Sequence, residues 1–273
     1  MMNLLKNNFL LFFSFSALIV STVSCSEYNK VIKGNDYEKK YEFAIKYINS
    51  GECFKALPLL EELMTYHRTN SKSEDIYYHY AYTQYCLKDY YLAAYYFKNF
   101  TKKYPYSPKV EECAFMSAIC TKENAPEYNL DPTETKKAID ELQLFMDKYP
   151  KSAKIDTCNV LIKGLRSNLE QKFYEQCILY YKMEKYNSAV VSFSSMLQSY
   201  PDTKYREEIM YLIVRSNYLF AINSIDTKKK ERFEAAIKSY NNFIASYTES
   251  IYSKDVKNYY ESSTKAIEKL KTL

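Results

Sequence analysis

The sequence predicts an all-α fold: an α-solenoid of about five helix pairs closed by a C-terminal capping helix. One observation is a recurring pattern, Ala-x3-aromatic-x2-aromatic-x3-Tyr-Pro. It is nearly complete at Ala93, Phe97, Phe100, Tyr104, Pro105 and at Ala189, Phe193, Met196, Tyr200, Pro201. It returns at Ala138, Leu142, Phe145, Tyr149, Pro150, and at Ala236, Tyr240, Phe243, Tyr247, where Thr248 replaces the proline. A fifth copy, shortened by one residue, reads Ala56, Leu60, Leu63, Tyr66. Steps of 4, 3 and 4 residues place these side chains on one stripe of an α-helix, and proline just beyond stops it. The closing tyrosines follow one another at 38 to 51 residues, the signature of a repeat array. The other observation is composition. With 273 residues, 47% of them hydrophobic, but only 3 Gly and 7 Pro, the chain has material for a sizeable core and too few turn residues for many β-turns.

Residues 1–24 read as a leader. Lys6 supplies a positive start, Phe9 to Val20 is a 12-residue apolar stretch, and Ser21, Thr22, Val23 and Ser24 are small or short residues before Cys25. Twelve residues are too few to span a bilayer as a permanent helix. The segment resembles the lipobox of bacterial lipoproteins, whose Cys becomes the lipidated first residue of the mature chain, although Thr22 stands where Leu is usual. Ordinary secretion, with Cys25 as a free or disulfide-bonded thiol, is the alternative. Neither an Asp in the second mature position nor an acidic run follows Cys25, so the expected address is the periplasmic face of the outer membrane.

Residues 25–36 form a lipidated linker, and 37–273 a single repeat domain with pairs at roughly 37–68, 74–106, 109–151, 170–203 and 206–248, then a cap at 252–271. The stripe resembles the second helix of the tetratricopeptide repeat. The first helix of that repeat wants a small residue about a dozen positions earlier and an aromatic three residues on. Ala44 with Tyr47 and Cys177 with Tyr180 fit, while Ala81 is followed by Gln84. Such pairs bury their apolar faces only by stacking on neighbours. Between Asp255 and Leu270, Val256, Tyr259, Tyr260, Ile267 and Leu270 stand among Lys and Glu as a final amphipathic helix.

Catalytic chemistry finds no support. His67 and His79 are the only histidines, and His67 takes the place of the helix-stopping proline in the first repeat. There is no His-Glu-x2-His, no phosphate-cradling glycine loop and no Gly-x-Ser-x-Gly elbow. Neighbouring carboxylates such as Glu61 and Glu62, or Glu111 and Glu112, diverge on a helix and read as solvated faces. Cys53, Cys86, Cys113, Cys120, Cys158 and Cys177 are expected chiefly as buried unpaired thiols, with a disulfide framework as the alternative. With no Cys-x2-Cys, neither a metal nor a cofactor is expected. Without Lys6 the chain has 37 basic and 33 acidic residues, interspersed, with one dense run at Lys228–Lys230 read as a solvated loop, so no nucleic-acid partner is expected.

The residues from Cys25 to Lys33, Tyr41 with Ala44, Ala56-Leu-Pro-Leu-Leu-Glu-Glu-Leu63, Asp131-Pro132-Thr133, Leu165-Arg166-x2-Leu169, and Tyr200-Pro201-Asp202-Thr203 together resemble the BamD family, the repeat lipoproteins of the outer-membrane β-barrel assembly machine. In that family Asp-Pro opens the second helix of repeat three, and a long helix links to repeat four. The resemblance implies a non-catalytic adaptor. Its C-terminal repeats would dock a BamA-like insertase alongside other lipoproteins of the machine, and its N-terminal repeats would receive unfolded outer-membrane β-barrel proteins. In that register the groove positions are Tyr41, Ile45, Tyr78, Tyr82 and Tyr85, with Arg68 and Lys88 in adjoining turns. Tyrosines would stack on the aromatic end of a substrate signal while a basic residue neutralises its carboxylate. A tyrosine-rich helix that merely packs against its neighbours is an equal alternative. Where family members carry an insertase-contacting Arg, this chain has Ser192, Ser194 and Ser195. Arg206 and Arg215 are the nearby basic candidates for docking, although ordinary surface charge explains them as well. The runner-up is a periplasmic tetratricopeptide scaffold for cell-envelope or peptidoglycan synthesis, similar to CpoB, in which a coiled coil usually precedes the repeats.

Overall fold

Each aromatic stripe lies on an α-helix. The computed structural model describes residues 27–67 and 71–271, and these hold helices and turns, with no strand among them. After α1 (27–33) come α2 (Tyr37–Asn49), α3 (Cys53–Tyr66), α4 (Ser73–Cys86), α5 (Tyr90–Lys103), α6 (Val110–Glu123) and α7 (Thr133–Lys148). Then follow α8 (Ile155–Lys182), α9 (Tyr186–Ser199), α10 (Arg206–Ile222), α11 (Asp226–Ser246) and α12 (Ser253–Lys271). Successive helices pack against one another from α2 to α7 and from α9 to α12, with the stripes on α3, α5, α7, α9 and α11. The fold is an all-α array of tetratricopeptide-like pairs. Contacts divide it into two compact units: one runs to Pro126 and includes Pro132–Ile162, the other comprises Glu127–Asp131 and the chain from Lys163.

The stripe residues are the core. Ala56, Ala93, Ala138, Ala189 and Ala236 are all buried, as are the residues four and seven positions on in the first four copies. In the fifth, Phe243 is buried and Tyr240 packs against the core from its edge. The tyrosine that closes each stripe is the C-cap: the Tyr104, Tyr149, Tyr200 and Tyr247 N–H groups donate to the carbonyls of Phe100, Phe145, Met196 and Phe243 at 2.8–2.9 Å. The first repeat corrects the sequence reading. Its copy is not shortened, because His67 makes the same bond to Leu63 at 2.8 Å and is only 7% exposed, whereas Tyr66 is 58% exposed. Histidine fills the tyrosine slot there, not the proline slot.

Two kinds of turn join the helices. After α5 and α9, a buried hydroxyl clips the chain. Ser107 Oγ accepts from the Lys109 N–H at 3.1 Å and donates to Glu74 at 2.5 Å, while Thr203 Oγ1 accepts from the Tyr205 N–H at 3.2 Å and donates to Glu170 at 2.5 Å. Within three of the pairs the turn needs one left-handed residue: Gly51 (φ 75°), Lys88 (φ 62°) and Glu184 (φ 57°). Only the first of these is free of the Cβ penalty.

Three further expectations are corrected. Glu62 is not left to solvent alone: its partly exposed carboxylate pairs with Lys40, which is 1% exposed and also donates to the Ile32 carbonyl at 3.2 Å, tying α1 to the first pair. Lys228–Lys230 lie not in a loop but in the first turns of α11, where Lys228 pairs with Glu231 and Lys229 with Asp226. The cysteines are not all unpaired. Cys53 opens α3 and Cys86 ends α4, so antiparallel packing brings their Cα atoms to 6.2 Å and they form a disulfide. Cys113, Cys120, Cys158 and Cys177 are free and buried, and burial holds all four thiols above their ordinary value, Cys113 and Cys120 at about 12.

Because the bridge spans 33 residues, Cys53→Ser is expected to lower stability by about 3–4 kcal/mol, the loop-entropy value for a ring of that size. Chemical denaturation with and without a reductant checks this, since reduced wild type should match the variant. Replacing Lys88 by Gly should raise stability by about 1 kcal/mol by removing the left-handed Cβ penalty, measured in the same assay.

Candidate peptide-binding face

The first helices of the two N-terminal pairs, α2 and α4, carry the predicted groove tyrosines and Ile45. On α4, Tyr78, Tyr82 and Tyr85 are half-buried against the cluster built on Ala81, Ala93, Phe97 and Phe100. The Tyr82 ring stands edge-on to Phe97 at 5.0 Å, with Tyr78 4.8 Å away, and the Tyr85 ring lies 5.6 Å from Tyr90. Tyr41 on α2 continues the row through His79, whose ring is 6.1 Å from Tyr41 and 5.3 Å from Tyr78. Ile45 is half-buried one turn further along α2. The rings therefore do pack, and what they offer outward is their edges and hydroxyls.

Those polar edges are already organised. The Tyr82 hydroxyl donates to Glu112 Oε1 at 2.5 Å, and Lys109 Nζ sits 4.6 Å over the Tyr78 ring while pairing with Asp75. Burial, reinforced by the bond to Glu112, pushes the Tyr82 hydroxyl far above its usual range. Burial and the Glu112 charge bring Tyr78 to about 12, and Tyr41 and Tyr85 are raised chiefly by burial. His79 is depressed by burial first and then by Lys109, with Asp75 opposing. Lys109 is the cation at the tyrosines, and sequence reasoning missed it. The repeat offset held the signal, since Asp75 to Lys109 spans 34 residues, as Glu74 to Ser107 spans 33. Lys88 is exposed in the α4–α5 turn and serves as its left-handed residue. Arg68 and Cys25 lie outside the described residues.

In the second unit, Arg206 Nη1 donates to the Pro201 carbonyl at 2.9 Å and lines a surface depression with Asp202, Thr203, Glu207 and Tyr247. Arg215, on the same face of α10 as Tyr211, donates through Nη1 to the Tyr211 hydroxyl at 3.3 Å and lies 5.6 Å from the Tyr181 ring centre. Ser192 is not on the polar face: its Oγ lies 3.0 Å from Cys177 Sγ, inside the α8–α9 crossing. Ser194 is half-buried and Ser195 exposed.

Among the described residues no group of three or more His, Cys, Asp or Glu could hold a metal ion. The model of the YfiO family, described as outer membrane lipoprotein, matches residues 34–232 and, overlapping, 170–267. The chain belongs to this family. No curated protein matches the sequence. Solved structures similar to it include a thermophilic TPR protein of Thermus thermophilus, 14% identical, covering 84% of this chain and 98% of that one at a TM-score of 0.33. Another is the P58(IPK) TPR domain, 11% identical, covering 88% and 68% at a TM-score of 0.39. No described helix is long and apolar enough to cross a membrane.

The depressed His79 gives a pH signature. Its folded value lies below the ordinary 6.5, so the unfolded chain takes up the proton first and stability is lost as pH falls below 6.5 toward the folded value. Thermal melts between pH 7.5 and 5 should show this loss, and His79→Gln should reduce it.

Proposed function

We propose that this protein is a non-catalytic adaptor of the β-barrel assembly machinery, a BamD-like lipoprotein anchored to the outer membrane through Cys25 and facing the periplasm. The observation that carries the reading is the match to an outer membrane lipoprotein family across residues 34–267, in a chain whose leader ends in a lipobox-like Ser-Thr-Val-Ser-Cys25. The all-helical repeat architecture supports it, because stacked pairs supply extended surfaces for protein partners and no catalytic constellation.

In this reading the N-terminal repeats receive the C-terminal signal of an unfolded barrel protein on Tyr41, Ile45, Tyr78, Tyr82 and Tyr85. An aromatic residue of the peptide packs on the exposed tyrosine edges. Its carboxylate exchanges with Asp75 for the Lys109 ammonium, already held over Tyr78. Arg68 and Lys88 in the flanking turns add positive charge. The C-terminal repeats dock the BamA-like insertase, with Arg206 and Arg215 as the basic contacts, alongside other lipoproteins of the machine.

Pull-down of the tagged chain from detergent-solubilised outer membrane is expected to recover a large barrel protein with repeated periplasmic domains, and Cys25→Ser should lose it from the membrane fraction. Peptidoglycan synthases in its place would replace this reading by the cell-envelope scaffold. For the groove, Tyr78→Ala with Tyr82→Ala should weaken binding of a C-terminal barrel peptide about tenfold or more. Circular dichroism on the same sample establishes that the fold is kept, and unchanged affinity in a folded variant sinks the pocket.

A further inference from the structure

Arg215 differs from its neighbours in what surrounds it. The i, i+4 spacing on α10 stands it beside Tyr211, while Tyr181 reaches it from the end of α8 and Tyr259 from α12. Tyr211 is buried and the other three residues are half-buried, so the half-buried guanidinium is bordered by the Tyr211 hydroxyl and the Tyr181 ring. Among the described residues its polar and ring partners are tyrosines: the 3.3 Å bond to the Tyr211 hydroxyl and the ring of Tyr181, with Tyr259, bonded to Tyr211, acting on its charge. No carboxylate among the described residues pairs with it. Glu208, two turns earlier on α10, is engaged instead by the Tyr174 hydroxyl. Arg206 and Arg232, by contrast, are spent on local turns, donating to the Pro201 carbonyl and the Ser224 hydroxyl.

A half-buried cation without an anion has given up hydration that tyrosine hydroxyls only partly replace. Among the described residues the fork donates to the Tyr211 hydroxyl alone, through Nη1, and its planar shape matches a carboxylate in bidentate geometry. Phenolic hydroxyls beside it can donate to the same oxygens. We propose that Arg215, with Tyr181, Tyr211 and Tyr259, is a carboxylate receptor that takes the side chain of an Asp or Glu on a protein partner. That the occupant belongs to a protein rests on the adaptor reading; the carboxylate specificity rests on the site itself. The site is assembled from α8, α10 and α12, so it exists only when the last two pairs and the terminal helix are packed together.

The test uses the full mature chain in detergent, with the Arg215 Nε–H resonance followed by NMR during titration with succinate, inorganic phosphate and chloride. A saturable shift with succinate, at least about tenfold weaker with phosphate and chloride, is expected, and Arg215→Lys should weaken succinate binding about tenfold by keeping the charge and losing the fork. No saturable shift, equal response to the three anions, or a lysine variant that binds as well as wild type overturns the proposal. In cells, a photo-crosslinker at position 181 should capture a protein partner in the Arg215 chain and lose it with Arg215→Gln. Succinate binding without any such capture leaves the receptor standing and counts against the adaptor reading, so the two failures are separable. Tyr259→Phe, which keeps the ring, provides a folded variant in which only the hydroxyl contribution is lost.

Discussion

The close approach permitted by the alanine at the head of each second helix is the constraint on which the repeat depends. With Ala56, Ala93, Ala138, Ala189 and Ala236 buried, the partner helix comes near enough for the residues four and seven positions later to fill the groove without voids. A larger side chain at the head would force the pair apart, at about 1–3 kcal/mol for overpacking in a filled core, and would misplace everything carried by the first helix. The tyrosines of α4 face outward at their edges because Ala81 and Ala93 let α4 and α5 close beneath them.

The turns convert that local packing into a stack. Each closing tyrosine, or His67 in the first copy, ends its helix by a backbone bond, and where Ser107 or Thr203 follows, a hydroxyl holds the start of the next pair to a glutamate on the first helix of the preceding one. These clips fix the separation between successive first helices. The same spacing brings Lys109 over Tyr78 in one unit and Arg215 toward Tyr181 in the other, so the two candidate surfaces inherit their geometry from the repeat.

Features set by helical period were legible in the sequence. The stripes, apart from the closing residue of the first, and the terminal amphipathic helix are local patterns and lie where the pattern put them, whereas the opening of α7 after Asp131-Pro132 and the long α8 were implied by the family resemblance. What depends on which helix ends meet was not legible. The Cys53–Cys86 bond requires knowing that the start of α3 abuts the end of α4, and Lys40 with Glu62 looks like ordinary surface charge until α1 covers it. His67 was misplaced because a histidine in an aromatic slot is recognised by its capping bond, not by its letter. Of the candidate residues, the tyrosines were placed by the tetratricopeptide register, while Lys109 lies one repeat away from the Tyr78 ring it covers.

The disulfide also bears on how the chain matures. Cys53 and Cys86 are consecutive in the order of cysteines along the chain, with none between them. In the exported chain proposed above, with Cys25 acylated, an oxidant that joins cysteines in the order they emerge reaches the native pairing from Cys53 directly. The later thiols at Cys113, Cys120, Cys158 and Cys177 arrive after their partner-to-be is already taken, and folding then buries them. Linear order thus supplies a safeguard against mispairing that would otherwise fall to an isomerase.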